Sequence, residues 1–213
     1  MLSFWSSCTD AARSQPLGKS LRFASAETSG KFAQRTNDRL KGGCVMKADE
    51  VVRRELLRLL EGGNAHMSFD EVIADFPLEH INSKAPHTPY SFWHFVEHLR
   101  IAQWDILEFI RDPDHVSPDY PEGYRPTPEK KANEKQWRKS IDGVRADLES
   151  LRQIVEDAKT DLFGPMPHAP GYNIFREIVL AADHNAYHIG ELAIMRQVMD
   201  IWPTRNQYLT GKP

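Results

Sequence analysis

Nine histidines are spread along this 213-residue chain, and four of them fall into two H-x-x-x-H pairs, His94 with His98 and His184 with His188. On an α-helix a spacing of four puts two side chains on one face, their Cβ atoms roughly 5–6 Å apart. Two imidazoles at that pitch can ligate one metal ion, and imidazole suits Zn, Ni, Fe and Cu and, to a different degree, Mn. A single pair arises readily by chance in a chain with this many histidines. Two pairs on separate long helices point to a shared centre between facing helices. The second pair is flanked by Ala181, Ala182, Ile189 and Leu192, at the edge of an apolar stripe. Imidazoles buried there need partners, and a metal ion supplies one.

Other chemistries have less to stand on. Both cysteines, Cys8 and Cys44, precede Met46, so the rest of the chain offers no thiolate ligand, disulfide or cysteine nucleophile. No Ser-His-Asp order and no Gly-rich phosphate loop stands out. The net charge of -3 argues against a nucleic-acid surface. No apolar run of about 18 residues exists, so no spanning helix is expected, and a cytoplasmic location follows as the expectation. The 40% hydrophobic and 27% charged content is that of an ordinary globular protein.

The charge is unevenly divided. Residues 1–45 carry seven basic and three acidic side chains, a net +4, which leaves -7 on residues 46–213. The first segment has seven serines, four glycines and no sustained period, so disorder is expected there. Asp10 and Arg13 interrupt any secretory apolar region, whereas the acid-poor, Arg- and Ser-bearing composition is compatible with a transit peptide. The preferred reading is translated upstream sequence: Lys41-Gly42-Gly43 can be encoded by a bacterial ribosome-binding sequence shortly before a true start at Met46.

The remaining residues must position the histidines, and they read as helices throughout. Residues 47–60 carry one apolar stripe, stopped by Gly62-Gly63. Ser68 to Glu71 is a capping box opening a short helix closed by Pro77. Thr88-Pro89 predicts the start of a third helix, ended by Asp112-Pro113. A Pro-rich loop over 112–127 follows, and Thr127-Pro128 predicts the next start. Trp137, Ile141, Val144, Leu148, Leu151, Val155 and Ala158 then alternate by four and three, a seam that predicts lengthwise packing against antiparallel neighbours. A second Pro/Gly loop over 159–172 leads to Asn173, a cap for a last helix reaching about Met199. Four long helices and one short one predict an all-α four-helix bundle over 46–213, with loops long enough to permit crossovers.

The segment Asp183-His184-Asn185-Ala186-Tyr187-His188-Ile189-Gly190-Glu191-Leu192 resembles the last-helix motif of the DinB-like superfamily, where two histidines four apart precede Gly and usually Gln-Leu. Pro89-Tyr90-Ser91-Phe92-Trp93-His94-Phe95-Val96-Glu97-His98-Leu99 looks like that family's second-helix motif, and Trp202-Pro203 like its ending. The resemblance covers about residues 46–203. It implies a divalent metal held by His98, His184 and His188, with open positions for water or substrate. His94 keeps two readings from spacing alone, a fourth ligand or a non-ligand; the resemblance selects His98. Glu191 departs from the family's Gln. It can orient His188 or a metal-bound water, or lie at the surface.

Glu97, Asp105 and Asp183 are further candidates for orienting a ligand ring, each with the plainer reading of a surface residue or salt bridge. Trp93 and Trp104 read as core residues that can also wall a pocket. His168, in the second Pro/Gly loop, is a candidate cover for the site or an exposed loop histidine. His66, His80, His87 and His115 have no partner by spacing.

Characterised DinB-like proteins include metal-dependent transferases and isomerases that use low-molecular-weight thiols. The implied function is activation of a small thiol, or of water, toward a small-molecule substrate at a Zn, Ni, Fe or Mn centre. The missing cysteines agree with a thiol brought from outside. The alternative is a non-catalytic, stress-associated metal-binding bundle acting as a homodimer or through a protein partner, its metal stabilising the fold.

Overall fold

Helix boundaries in this chain are set by side chains that satisfy the first free backbone N–H groups. The computed structural model describes residues 47–202; the expected leader 1–45 and the Pro203 of the sequence motif lie outside them. Helix α1 spans Ala48–Glu61 and stops at Gly62 and Gly63, whose φ angles of 71° and 76° lie in the left-handed region glycine tolerates. The short helix α2, Phe69–Ile73, opens on the expected box: Glu71 N donates to Ser68 Oγ, and Ser68 N donates to Glu71 Oε2.

Two starts fall later than the Thr-Pro signals predict. Helix α3 spans Phe92–Arg111 with Ser91 as its cap, and helix α4 spans Glu134–Glu156 with Asn133 as its cap. In both, the residue at the third helical position reaches back to the cap: His94 for α3 and Gln136 for α4. Thr88 and Thr127 form turns instead, Thr88 Oγ1 donating to Ala85 O and Thr127 O accepting from Lys130 N. A complete box satisfies orphan donors that a lone Thr-Pro does not. Helix α5, Ile174–Val198, starts from Asn173 as expected. Among the described residues no strand forms, only isolated bridges at Lys84–Ser91 and Met166–Ala169.

The long helices pack in a closed order: α3 against α4 and α5, and α1 against α4 and α5. Side-chain contacts fix their directions. His98, near the start of α3, meets His188 in the second half of α5, and His168, just before α5, meets Phe109 O near the end of α3, so these two run antiparallel. Arg53 meets Val155 O, and Arg152 lies near Glu61, so α1 and α4 also run antiparallel. Trp93 meets Ser140 and Gln103 meets Val144 O, so α3 and α4 run parallel. That departs from the antiparallel neighbours the α4 seam predicts. Residues 112–133 return the chain along α3, whose 20 residues span about 30 Å. Helix α4 keeps its seam, with Trp137, Ile141, Val144, Leu151 and Val155 buried; Ala158 lies beyond its end and is exposed. Gly143 leaves room for the Arg100 side chain at the α3–α4 crossing: a Cβ there would stand 2.6 Å from Arg100 Cδ, so that side chain would have to shift.

Leu56, Leu60, Leu107, Leu151, Val155 and Ile178 form an apolar core in which all four long helices meet. Each such side chain contributes roughly 1.5–3 kcal/mol on burial. Farther toward the start of α3, polar side chains enter the interior. Asn185 Nδ2 donates to Gln103 Oε1 at 2.7 Å, and Gln103 Nε2 donates to Val144 O at 2.7 Å. Past that layer lie the histidines. No helix among the described residues is long and apolar enough to cross a membrane.

Candidate metal centre

The three histidines selected by the motif meet. One ring nitrogen from each of His98, His184 and His188 lies within 4.8 Å of the others, and this is the one such group of three or more ligating side chains among the described residues. His98 comes from the second turn of α3, and His184 and His188 from successive turns of α5. His98 Nε2 is 3.1 Å from His188 Nε2 and 3.2 Å from His184 Nε2. Nitrogens bound at 2.0–2.1 Å to one tetrahedral zinc ion stand about 3.3 Å apart. The spacing therefore suits a shared ion of that size.

Proton accounting supports the same fit. A carbonyl oxygen only accepts, so the 2.9 Å contact between His98 Nδ1 and Tyr124 O requires the proton on Nδ1. Burial first, and then the neighbouring His188 and Arg125, pushes the His98 ring down to a pKa of about 3, so the ring is neutral and its Nε2 is a bare lone pair. His188 Nδ1 lies 2.7 Å from Glu191 Oε2, and a carboxylate likewise takes the proton on that side. Three Nε2 atoms thus surround one point. A single proton can serve two of them, whereas a divalent cation serves all three.

His184 differs from its partners. Burial, then His188 and His98, lowers its pKa well below the ordinary imidazole value. Its Nδ1 is buried without a hydrogen-bond partner, and so is Asn185 Oδ1. Asn185 lies close enough to oppose the shift slightly but not at hydrogen-bonding geometry. Two aromatic rings pack edge-on against His188: Phe95 stands 6.3 Å and Tyr187 5.0 Å from its ring, centre to centre.

The other candidates separate cleanly. His94 is buried, but its Nδ1 accepts from Ser91 N in the helix cap, and its Nε2 donates to Thr127 O at 2.9 Å. Both nitrogens are committed away from the triad. Burial is the main reason its pKa is lowered. Glu97 pairs with Arg100 and accepts from Ser140 Oγ; burial works against its charge, and these hydrogen bonds outweigh it and lower its pKa. It ties α3 to α4 and does not reach the rings. Asp183 is exposed. Trp93 is core, its Nε1 donating to Ser140 Oγ, and Trp104 packs edge-on against His115. His168 donates to Phe109 O. That carbonyl is eleven residues beyond His98, about 16 Å along the helix. The loop 159–172 therefore lies at the far end of the helices, and the loop over 112–127 is the one that reaches the triad.

Glu191 is on the same side of α5 as the histidine group and contacts the His188 ring directly. The residue that spacing does not reveal is Tyr124, because it contributes a backbone carbonyl, and every residue type has one. Compared with known proteins, the chain matches no family, no curated protein and no solved structure.

Proposed function

We propose that this protein is a DinB-like four-helix bundle whose His98, His184 and His188 hold a divalent metal ion, and that it activates a small thiol or water toward a small-molecule substrate. The observation that carries the reading is the convergence of three Nε2 atoms with 3.1 and 3.2 Å separations, while two of the Nδ1 atoms are committed to other groups. The closed packing order of four long helices, and the origin of the triad in the second and fourth of them, support the family reading.

Each residue has a separable task. Tyr124 O holds the His98 ring so that its Nε2 faces inward. Glu191 holds His188 and makes that ring a stronger donor. Phe95, which is buried, and Tyr187, which is half-exposed, both pack edge-on against the His188 ring. Three protein ligands leave coordination positions open, and a bound divalent ion lowers the pKa of a thiol or water that takes one. Residues 46–213 contain no cysteine, so a reacting thiol comes from outside this part of the chain. Zn, Ni, Fe and Mn all accept three imidazoles.

The test is elemental analysis of the purified full chain beside its His98→Ala variant, followed by a conjugation assay of small thiols with a panel of electrophiles. Stoichiometric metal and faster conjugation, both lost in the variant, are expected. Equal metal in both proteins refutes the ligand set. A metal-loaded protein inert toward thiols and hydrolysable substrates refutes the enzymatic reading and leaves the stress-associated binding role.

A further inference from the structure

Asp105 stands seven residues after His98, two helical turns along the same face of α3 and about 10 Å farther on. It is 3% exposed, and both of its oxygens are engaged. Oδ1 lies 2.8 Å from His115 Nε2, and Oδ2 accepts from Tyr124 OH at 2.6 Å. A carboxylate at that depth is costly unless it is hydrogen-bonded, and these contacts satisfy it. They also tie down the long connection after α3 near its start, at His115, and again at Tyr124.

Tyr124 then lies along α3 like a splint. Its hydroxyl is anchored on Asp105, and its carbonyl accepts from His98 Nδ1 at 2.9 Å. Rings pack on both contacts of Asp105: Tyr120 edge-on against Tyr124 at 5.9 Å, and Trp104 against His115 at 5.2 Å. A loop carbonyl orients an imidazole only as well as the loop itself is held. The tautomer of a histidine is set by the hydrogen bond its other nitrogen makes. We infer that Asp105 is a positioning residue for the metal centre: through Tyr124 it keeps His98 in the Nδ1–H form with Nε2 directed at the triad. The inference rests on reading the triad as a metal centre.

The test uses the full chain with Tyr124→Phe, which removes only the hydroxyl, and Asp105→Asn. The first readout is the ¹⁵N NMR tautomer of His98 in metal-free protein at a pH where the ring is neutral. Wild type shows the Nδ1–H form alone, and both variants show a mixture. The second readout is a Co²⁺ titration followed by d–d absorption. The expected change is an affinity about tenfold weaker, the low end of what lost ligand-orienting contacts cost, with a displaced band. Variants that unfold more easily yet keep the wild-type tautomer and Co²⁺ spectrum would overturn the inference, because Asp105 would then only clamp the loop. If Asp105→Asn does not fold, Tyr124→Phe and His115→Gln decide the matter by the same readouts. A wild-type protein that binds no Co²⁺ defeats the metal reading, and the tautomer measurement still judges the positioning role.

Discussion

Glu191 is where the strength of the centre can be graded. Its Oε2 lies 2.7 Å from His188 Nδ1, with the His188 side chain 6% and the Glu191 side chain 25% exposed. A hydrogen bond to a charged group contributes about 1.5–3 kcal/mol, against about 1 kcal/mol for a neutral pair. Glu191→Gln keeps an acceptor oxygen at the same reach and deletes the charge, so it costs about 1 kcal/mol, or roughly fivefold in metal affinity. The partial exposure screens the carboxylate and makes that figure an upper bound. Glu191→Ala removes the acceptor altogether and frees the ring, for which about 10–100-fold is expected. Competition with a chromogenic chelator at fixed ionic strength measures both. The order of affinity should be Glu, then Gln, then Ala, and the alanine variant should also lose about 1–3 kcal/mol of metal-free stability, because the buried His188 Nδ1 loses its partner. Wild-type affinity in the alanine variant would refute the claim that this carboxylate holds a ligand. A glutamine variant weaker than alanine would refute the account of why.

Three further outcomes follow from the same geometry. His94→Ala should leave metal content unchanged and cost about 2 kcal/mol in urea unfolding, since it strands Thr127 O and the Ser91 cap; loss of metal would return His94 to the ligand set. Metal-free protein should weaken in acid: His98, at about 3, and His184, well below its ordinary value, stay neutral when folded but titrate near 6.5 when unfolded. The unfolded chain then binds more protons, so their contribution is complete above about pH 6.5 and is lost progressively as the pH falls below it. Urea unfolding that is flat between about pH 6.5 and pH 5 would contradict their neutral burial. Arg196→Met should cost about 3 kcal/mol in thermal or urea unfolding, because the fully buried guanidinium donates to Val72 O, Ala74 O and Ile201 O and stacks 4.0 Å from the Trp202 ring centre; a loss within experimental error would show that these carbonyls find water.

Much of this protein is local and was legible from residue order. Periodicity and caps place the helices, because Ser68 with Glu71 and Asn173 before α5 act on backbone groups only a few residues away. The pairing of His184 with His188 follows from helical pitch alone. Where local signals compete, residue order decides less. Ser91 and Asn133 displaced the Thr-Pro starts because each has a reciprocal partner three residues on, a cue present in the sequence but outweighed there by proline.

What tertiary structure decided is of longer range. His94 and His98 are equivalent by spacing, and both are buried; they part only because Thr127 O faces one and the α5 histidines face the other. The parallel run of α3 and α4 depends on the path of residues 112–133, which no repeat in the seam encodes. That same path carries Tyr124 O to His98 and its hydroxyl to Asp105, turning a carboxylate that looked peripheral into an interior anchor. Side-chain pattern reports what a residue can do within its own helix. Which nitrogen of a histidine faces inward, and what holds it there, is settled by a backbone carbonyl arriving from 26 residues away.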